Sequence, residues 1–284
     1  MNNDNQFKHY SLALVWSWLF IFALLPFCLI IIASFLTHDK THLVQLPFSF
    51  TNYLQLNDHL YFAIFQKSFF IAGIATLLCL LLGYPFAFMI ARMQSGMKSL
   101  LLLLVIIPFW TSSLIRSYAL IAIMKTKGIL NTVLLFLGII DHPLSLLFTN
   151  TAVLIGLVYN LLPFMILPIL TNVERLDNRL IDAARDLGAS RLLLFIRIIL
   201  PLTMPGIIAG AILVFLPAMT IFYIPDILGG AKATLVGNLI QNQFLIAENW
   251  PFGAAISTVL TCILALLILI YWRVTSHQKK REWL

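Results

Sequence analysis

Charge is what this chain has least of. Only 10% of its 284 residues are Asp, Glu, Lys or Arg, against about 25% in ordinary soluble domains. A water-soluble globule is therefore excluded, and a mean hydropathy of +0.97 points to a chain solvated largely by lipid. No Gly-Lys pair occurs anywhere, so the chain has no phosphate-cradling loop of the Gly-Lys-Ser/Thr type and cannot itself be an ATPase. The Asp and Glu residues all fall in expected loops, tails or span ends. That leaves no proton or cation relay of the kind ion-driven carriers keep inside their spans. Neither HExxH, CxxC nor a Ser/His/Asp constellation is present. Cysteine is scarce too: Cys28, Cys79 and Cys262 lie in apolar runs and read as small buried hydrophobes, with no metal or disulfide role.

What is present is long apolar segments. Uncharged stretches cover residues 10–38, 68–91, 99–115, 143–173, 198–225 and 249–272. They far exceed the roughly 10 residues of a barrel strand and suit helices across a bilayer core of ~30 Å. The expected fold is an all-α integral membrane protein, one permease-like domain over 1–284, with six spans near 11–36, 68–91, 99–115, 150–173, 204–224 and 250–272. The first run is too long for a signal-peptide core, lacks a small-x-small cleavage site, and has Phe27 before Cys28 where a lipoprotein signal needs a small residue. It is expected to stay as span one.

The basic residues orient the spans. With six crossings, one side collects 12 Lys and Arg in short loops and tails and the other 6. The positive-inside rule then places both termini and the loop between spans four and five in the cytoplasm. The formal net charge of +7 is thus read as an orientation signal, not as a nucleic-acid footprint. Outside, residues 124–147 carry an apolar run, 129–140, expected as a re-entrant or interfacial helix with an extra membrane helix as the alternative. Residues 224–250, with Pro225, Gly229, Gly230 and Lys232, read as a mobile loop.

One polar, Arg-rich island, expected as a cytoplasmic hairpin over 177–200, interrupts this apolar chain. Asp177 is a good N-cap, Leu180, Ala183, Ala184 and Leu187 follow at helical spacing, and Gly188 suits the left-handed residue that ends a helix. Ser190 can cap a second short helix and Pro201 is expected to stop it. The small pair Ala183/Ala184 leaves a flat face for close approach by another protein. The pattern Asp182-Ala183-Ala184, Gly188, Ile198-x-Leu200-Pro201 fixes seven positions at set spacing. It resembles the coupling loop of ABC importer permeases, with Asp182 where that family usually has Glu. Leu82-Gly83-Tyr84-Pro85-Phe86-Ala87, Pro108-Phe109-Trp110-Thr111, Leu202-Thr203-Met204-Pro205-Gly206-Ile207, residues 226–232 and Asn249-Trp250-Pro251-Phe252-Gly253 are similar to the permeases of spermidine/putrescine importers.

The resemblance implies the type I importer permease fold and a heteromeric assembly. That assembly would contain a second homologous permease, two ATPase subunits that hold ATP and Mg, and an external polyamine-binding protein. This chain would bind no cofactor itself. A path for a flexible polycation calls for aromatic faces and a few carboxylates. Trp110 follows Pro108, where span three is expected to break near the outer leaflet. Tyr223 and Asp226 flank Pro225 at the outer end of span five. These three are expected to touch the substrate, with Tyr53 of the first external loop as a further contact. Membrane-belt anchoring is the plainer reading of Trp110 and Tyr223, and a solvated loop charge that of Asp226. Arg116 fits a cation path poorly and is expected to pair with an acid of a partner protein. Pro26, Pro85, Pro163 and Pro168 lie in spans and either mark gate hinges or reflect packing irregularity. Two other readings remain open: a permease for an oxyanion or ferric ion, and a stand-alone secondary carrier or channel. A membrane assembly protein would leave the coupling-type loop unexplained.

Overall fold

The computed structural model describes residues 2–39, 42–46, 48–230 and 233–281. In chain order the helices are α1 (Asn2–Leu19), α2 (Leu25–Ser34), α3 (Thr51–Gln55), α4 (His59–Ala91), α5 (Ser95–Ile106), α6 (Ser113–Met124), α7 (Ile129–Phe136), α8 (Asn150–Glu174), α9 (Asn178–Asp186), α10 (Arg191–Leu194), α11 (Leu200–Thr220), α12 (Val236–Leu245) and α13 (Trp250–Arg281). Widened π turns at Phe20–Leu24 and Phe195–Ile199 join α1 to α2 and α10 to α11. A two-stranded antiparallel ribbon, β1 (Thr37–Asp39) and β2 (His42–Gln45), is the one departure from an all-helical fold among the described residues. Among the described residues, six helical stretches are long and apolar enough to cross a membrane: Ser11–Ser34, His59–Ala91, Ser113–Phe136, Asn150–Glu174, Arg191–Thr220 and Trp250–Leu269.

The chain divides into two compact units, Met1–Phe62 with Leu239–Leu267, and Ala63–Asn238 with Ile268–Leu284. In the first, Ser34 is the anchor. Its buried Oγ donates to the Ile31 carbonyl and lies 2.6 Å from the Tyr53 hydroxyl, and Asn52 donates to the Ser34 and Leu36 carbonyls at 3.0 and 2.8 Å. Asn249 accepts from the Phe252 amide and so caps α13, and Phe252 itself is buried against Tyr61.

In the second unit α8 and α11 form the centre. Gly206 and Gly210, four residues apart, bring α11 onto α8. An added Cβ would stand 2.7 Å from the Pro168 carbonyl at Gly206, and 2.8 Å from the Met165 sulfur and 3.2 Å from its carbonyl at Gly210. This is the small-residue contact by which membrane helices gain close packing in the absence of a hydrophobic driving force. Tyr84 ties α4 to the same core, its hydroxyl 3.0 Å from Thr203 Oγ1 and its ring edge-on to Phe195.

The third span differs from its expected bounds, 99–115. Lys98 pairs with Glu174 at 2.8 Å, Phe109 meets Phe164 at 5.1 Å, and Arg116 lies over Tyr159 at 6.0 Å. The rising and falling numbers show α5 and α6 running antiparallel to α8, past Arg116. The charge-free stretch ends at Ile115 only because a lone Arg reads as a span end; here the guanidinium is carried on aromatic faces. Beyond α6, Asn131 closes the loop by bonding the Lys125, Thr126 and Leu144 carbonyls and the Leu144 amide. Helix α7 has 8 residues, about 12 Å, too short to cross a bilayer by itself. Ile129, Val133, Phe136 and Leu137 leave one of its sides exposed and apolar.

The expected mobile loop at 224–250 is largely ordered structure. Ile224, Leu228, Leu235, Val236 and Asn238 are buried, and the π turn Pro225–Gly229 packs on α8. Its ordering comes from polar caps that composition does not reveal: Asn238 bonds the Leu235 amide and the Phe222 carbonyl, and Ser68 accepts from the Val236 amide. Lys232 and Ala231 lie outside the described residues.

Candidate functional site: a docking hairpin and a broken third span

The polar island folds as its caps dictate. Asp177 Oδ1 accepts from the Arg179 amide at 2.9 Å and opens α9. At the far end Gly188 has φ +80°, with its amide on the Arg185 carbonyl and the Ala189 amide on the Ala184 carbonyl. That pairing is the Schellman closure, which needs a left-handed residue at this position. Ser190 Oγ then accepts from the Leu193 amide and opens α10. Ile181, Ala184, Leu194 and Ile199 are buried together, with Phe88 and Phe195 against them. The hairpin is thus held as a packed body.

Two expectations change here. The Ala pair does not share a face: Ala184 is buried in the hairpin core, while Ala183 is exposed beside Leu180 and Leu187, the latter 89% exposed. The outward face is therefore Leu180, Ala183 and Leu187, at i, i+3 and i+7. Pro201 does not stop a second helix. It sits in the first turn of α11, and the helix runs on to Thr220. The preceding π turn, in which the Leu200 amide reaches back to the Phe195 carbonyl, accommodates a residue with no N–H and a bulky ring. Asp182, Gly188, Ile198, Leu200 and Pro201 thus belong to α9, its closure, and the base of the fifth span. Asp182 itself is exposed and faces Arg185 at 3.5 Å.

The second region is the break in the third span. A 3₁₀ turn at Ile107–Trp110 follows α5, then Thr111 and Ser112 take extended conformations before α6 begins. Contacts to Phe164 and Tyr159 set this break level with the middle of α8. Trp110 projects from it, 79% exposed. Tyr223 meets the same region, its hydroxyl 2.6 Å from Ser113 Oγ, so the two interrupted helices do come together. Asp226 is exposed, but its Oδ1 accepts a short hydrogen bond from Asn238, so the carboxylate is oriented by the loop it helps to close. Tyr53 belongs to the other unit, where its hydroxyl meets Ser34 and its ring lies on Phe35. Sequence reading passed over Phe109 and Tyr159, which carry the Arg116 guanidinium at 5.4 and 6.0 Å. The signal for Phe109 was its place two turns before an isolated Arg; Tyr159, on α8, had none. No cluster of three or more His, Cys, Asp or Glu that could hold a metal occurs among the described residues.

Comparison with known proteins agrees with this architecture. The model of binding-protein-dependent transport system inner membrane components matches residues 80–282. The spermidine/putrescine transport system permease protein PotB of Haemophilus influenzae is 52% identical over 270 residues, 95% of this chain and 94% of the relative. PotB of Escherichia coli K12 is 53% identical over 93% of this chain and 96% of its own length. The inner membrane ABC transporter permease protein YdcU of the same organism is 31% identical over 81% of this chain and 77% of its own. Among solved structures, a bacterial ABC transporter that imports the acidic polysaccharide alginate superposes with a TM-score of 0.78 at 16% identity, covering 98% of this chain and 96% of its own. A bacterial alginate ABC transporter in complex with an alginate pentasaccharide-bound periplasmic protein gives 0.76 at 16% identity, with 94% and 93% covered. This chain is a multi-pass inner-membrane protein with an ABC importer permease fold, and it belongs to the family of binding-protein-dependent transport system inner membrane components.

Proposed function

We propose that this chain is one permease subunit of an ATP-driven importer that moves polyamines, spermidine or putrescine, into the cytoplasm. The observation that carries the ATP-driven part is the rigid hairpin α9–α10, which turns an apolar Leu180/Ala183/Leu187 face outward and is continuous with the fifth span. The polyamine part rests on relatives of that name at 51–53% identity over nearly the whole chain. The assembly would contain a second homologous permease, two ATPase subunits holding ATP and Mg, and an external polyamine-binding protein. Both termini and the hairpin would face the cytoplasm. The chain would be non-catalytic, with hydrolysis on the separate ATPases.

The mechanism follows from the hairpin's construction. ATP binding closes the ATPases, which push the hairpin as one body. Because α9 is packed on the base of α11 and α11 is packed on α8, spans four and five turn together and open the cavity outward. Hydrolysis reverses the motion and releases substrate inward. Trp110, exposed at the break, would meet the passing methylenes and ammonium groups, with Tyr223 and Asp226 shaping the adjoining wall. The test is direct binding by the purified complex to spermidine, putrescine and sulfate, with its subunits identified. Polyamine binding and a co-purifying ATPase are expected; sulfate binding without polyamine binding would assign the permease to an anion.

A further inference from the structure

An isolated arginine on a membrane-spanning helix is costly and functional by default. Arg116 lies on α6, level with Tyr159 of α8, and its surroundings are specific. Its side chain is half-buried, its Nε is buried with no hydrogen-bond partner, and no carboxylate pairs with it among the described residues. Instead its guanidinium lies over Phe109 at 5.4 Å and Tyr159 at 6.0 Å, both within the ~6 Å reach of a cation–π contact. Phe109 belongs to the 3₁₀ turn beside exposed Trp110, and Tyr159 is 45% exposed. Two aromatic faces at the break in the third span thus already hold a cation, and that cation belongs to the chain.

We propose that Phe109 and Tyr159 form an alkylammonium site of the pathway, occupied in the empty permease by the tethered guanidinium of Arg116, which an incoming ammonium must displace. The inference rests on the polyamine reading. The chemistry is direct: a guanidinium and a primary ammonium both bind aromatic faces, and the two cannot share one pair of rings without repulsion. Occupation by Arg116 keeps the rings from holding a substrate too tightly to release. It also gives the empty site a resident cation, so that an inorganic cation gains nothing by entering. The site takes one ammonium group, and Trp110 stands where the adjoining methylenes would run.

The experiment is a double-mutant cycle read by equilibrium binding of labelled spermidine to the purified transporter complex without its external binding protein. Arg116→Met, which keeps length and loses charge, is expected to bind about fivefold more tightly, the scale of a cation–π contact regained. Arg116→Lys is expected to restore wild-type affinity. Phe109→Leu with Tyr159→Leu is expected to change affinity less than about twofold when Arg116 is present, and to erase the gain in the Met background. Arg116→Ala serves the same purpose should the Met variant fail to co-purify with its partners. Unchanged or weaker binding on loss of the charge, or equal effects of the ring substitutions in both backgrounds, would overturn the proposal. If the wild-type complex binds no spermidine, the polyamine reading falls by itself. The same cycle with 1,6-diaminohexane, read by calorimetry, then decides the ammonium site: tighter binding by Arg116→Met supports it, and none by any variant removes it.

Discussion

At the scale of single residues, Gly188 is the position most open to test. Its φ is +80°, yet a Cβ there would meet nothing within 4 Å, so any cost of substitution is backbone strain alone. Gly188→Ala is expected to weaken the hairpin by about 1–2 kcal/mol and to lower substrate-stimulated ATP hydrolysis, while the permease still reaches the membrane. Gly188→Asn is expected to cost less, because Asn tolerates the left-handed region. Tyr223 makes a different point. Its hydroxyl is spent on Ser113, so Tyr223→Phe and Ser113→Ala are expected to reduce uptake or thermal stability to the same extent and not additively, each by about 1 kcal/mol. Additive effects would give the hydroxyl a separate partner such as substrate. Asp177, Gly188 and Ser190 were legible in the sequence because a cap is a local device, decided within three or four residues. The engagement of Asp226 by Asn238, twelve residues on, was not, because nothing local marks it.

At the scale of elements, the hairpin α9–α10 divides into an inner face that is packed and an outer face that is exposed. Leu187→Ser on the outer face is expected to leave the thermal stability of the permease unchanged and to reduce co-purifying ATPase roughly tenfold, since burying one Leu is worth ~1.5–3 kcal/mol. Ile181→Ala on the inner face is expected to do the opposite first, lowering stability by about 2–4 kcal/mol before any effect on docking. Gly210→Leu is expected to prevent accumulation of folded permease, because the new side chain meets Met165 backbone and sulfur at once. The element pattern also shows where sequence reading runs out. Proline is a helix stop in an α-helical register, but the π turn at Phe195–Ile199 lets Pro201 sit inside a continuous span, and a π turn has no compositional signal. The third span was shortened for the reverse reason: Arg116 looks like a boundary until Phe109 and Tyr159, from two different helices, are seen to support it.

At the scale of the whole molecule, six apolar helical stretches and one polar hairpin among the described residues make up an ABC importer permease fold. The hairpin's second arm, α10, and the fifth span are one continuous helix from Arg191 to Thr220, and that span is clamped to the fourth through Gly206 and Gly210. A push on α9 therefore has a rigid route into the membrane. The most direct test of this account is spermidine uptake into proteoliposomes that hold the complete transporter, with external binding protein in excess, with and without internal ATP, for wild type and Leu187→Ser. Accumulation that requires ATP, and that falls in the variant in step with lost ATPase, is the predicted result. Uptake driven by an ion gradient through this chain alone, without ATP or partner subunits, would contradict it.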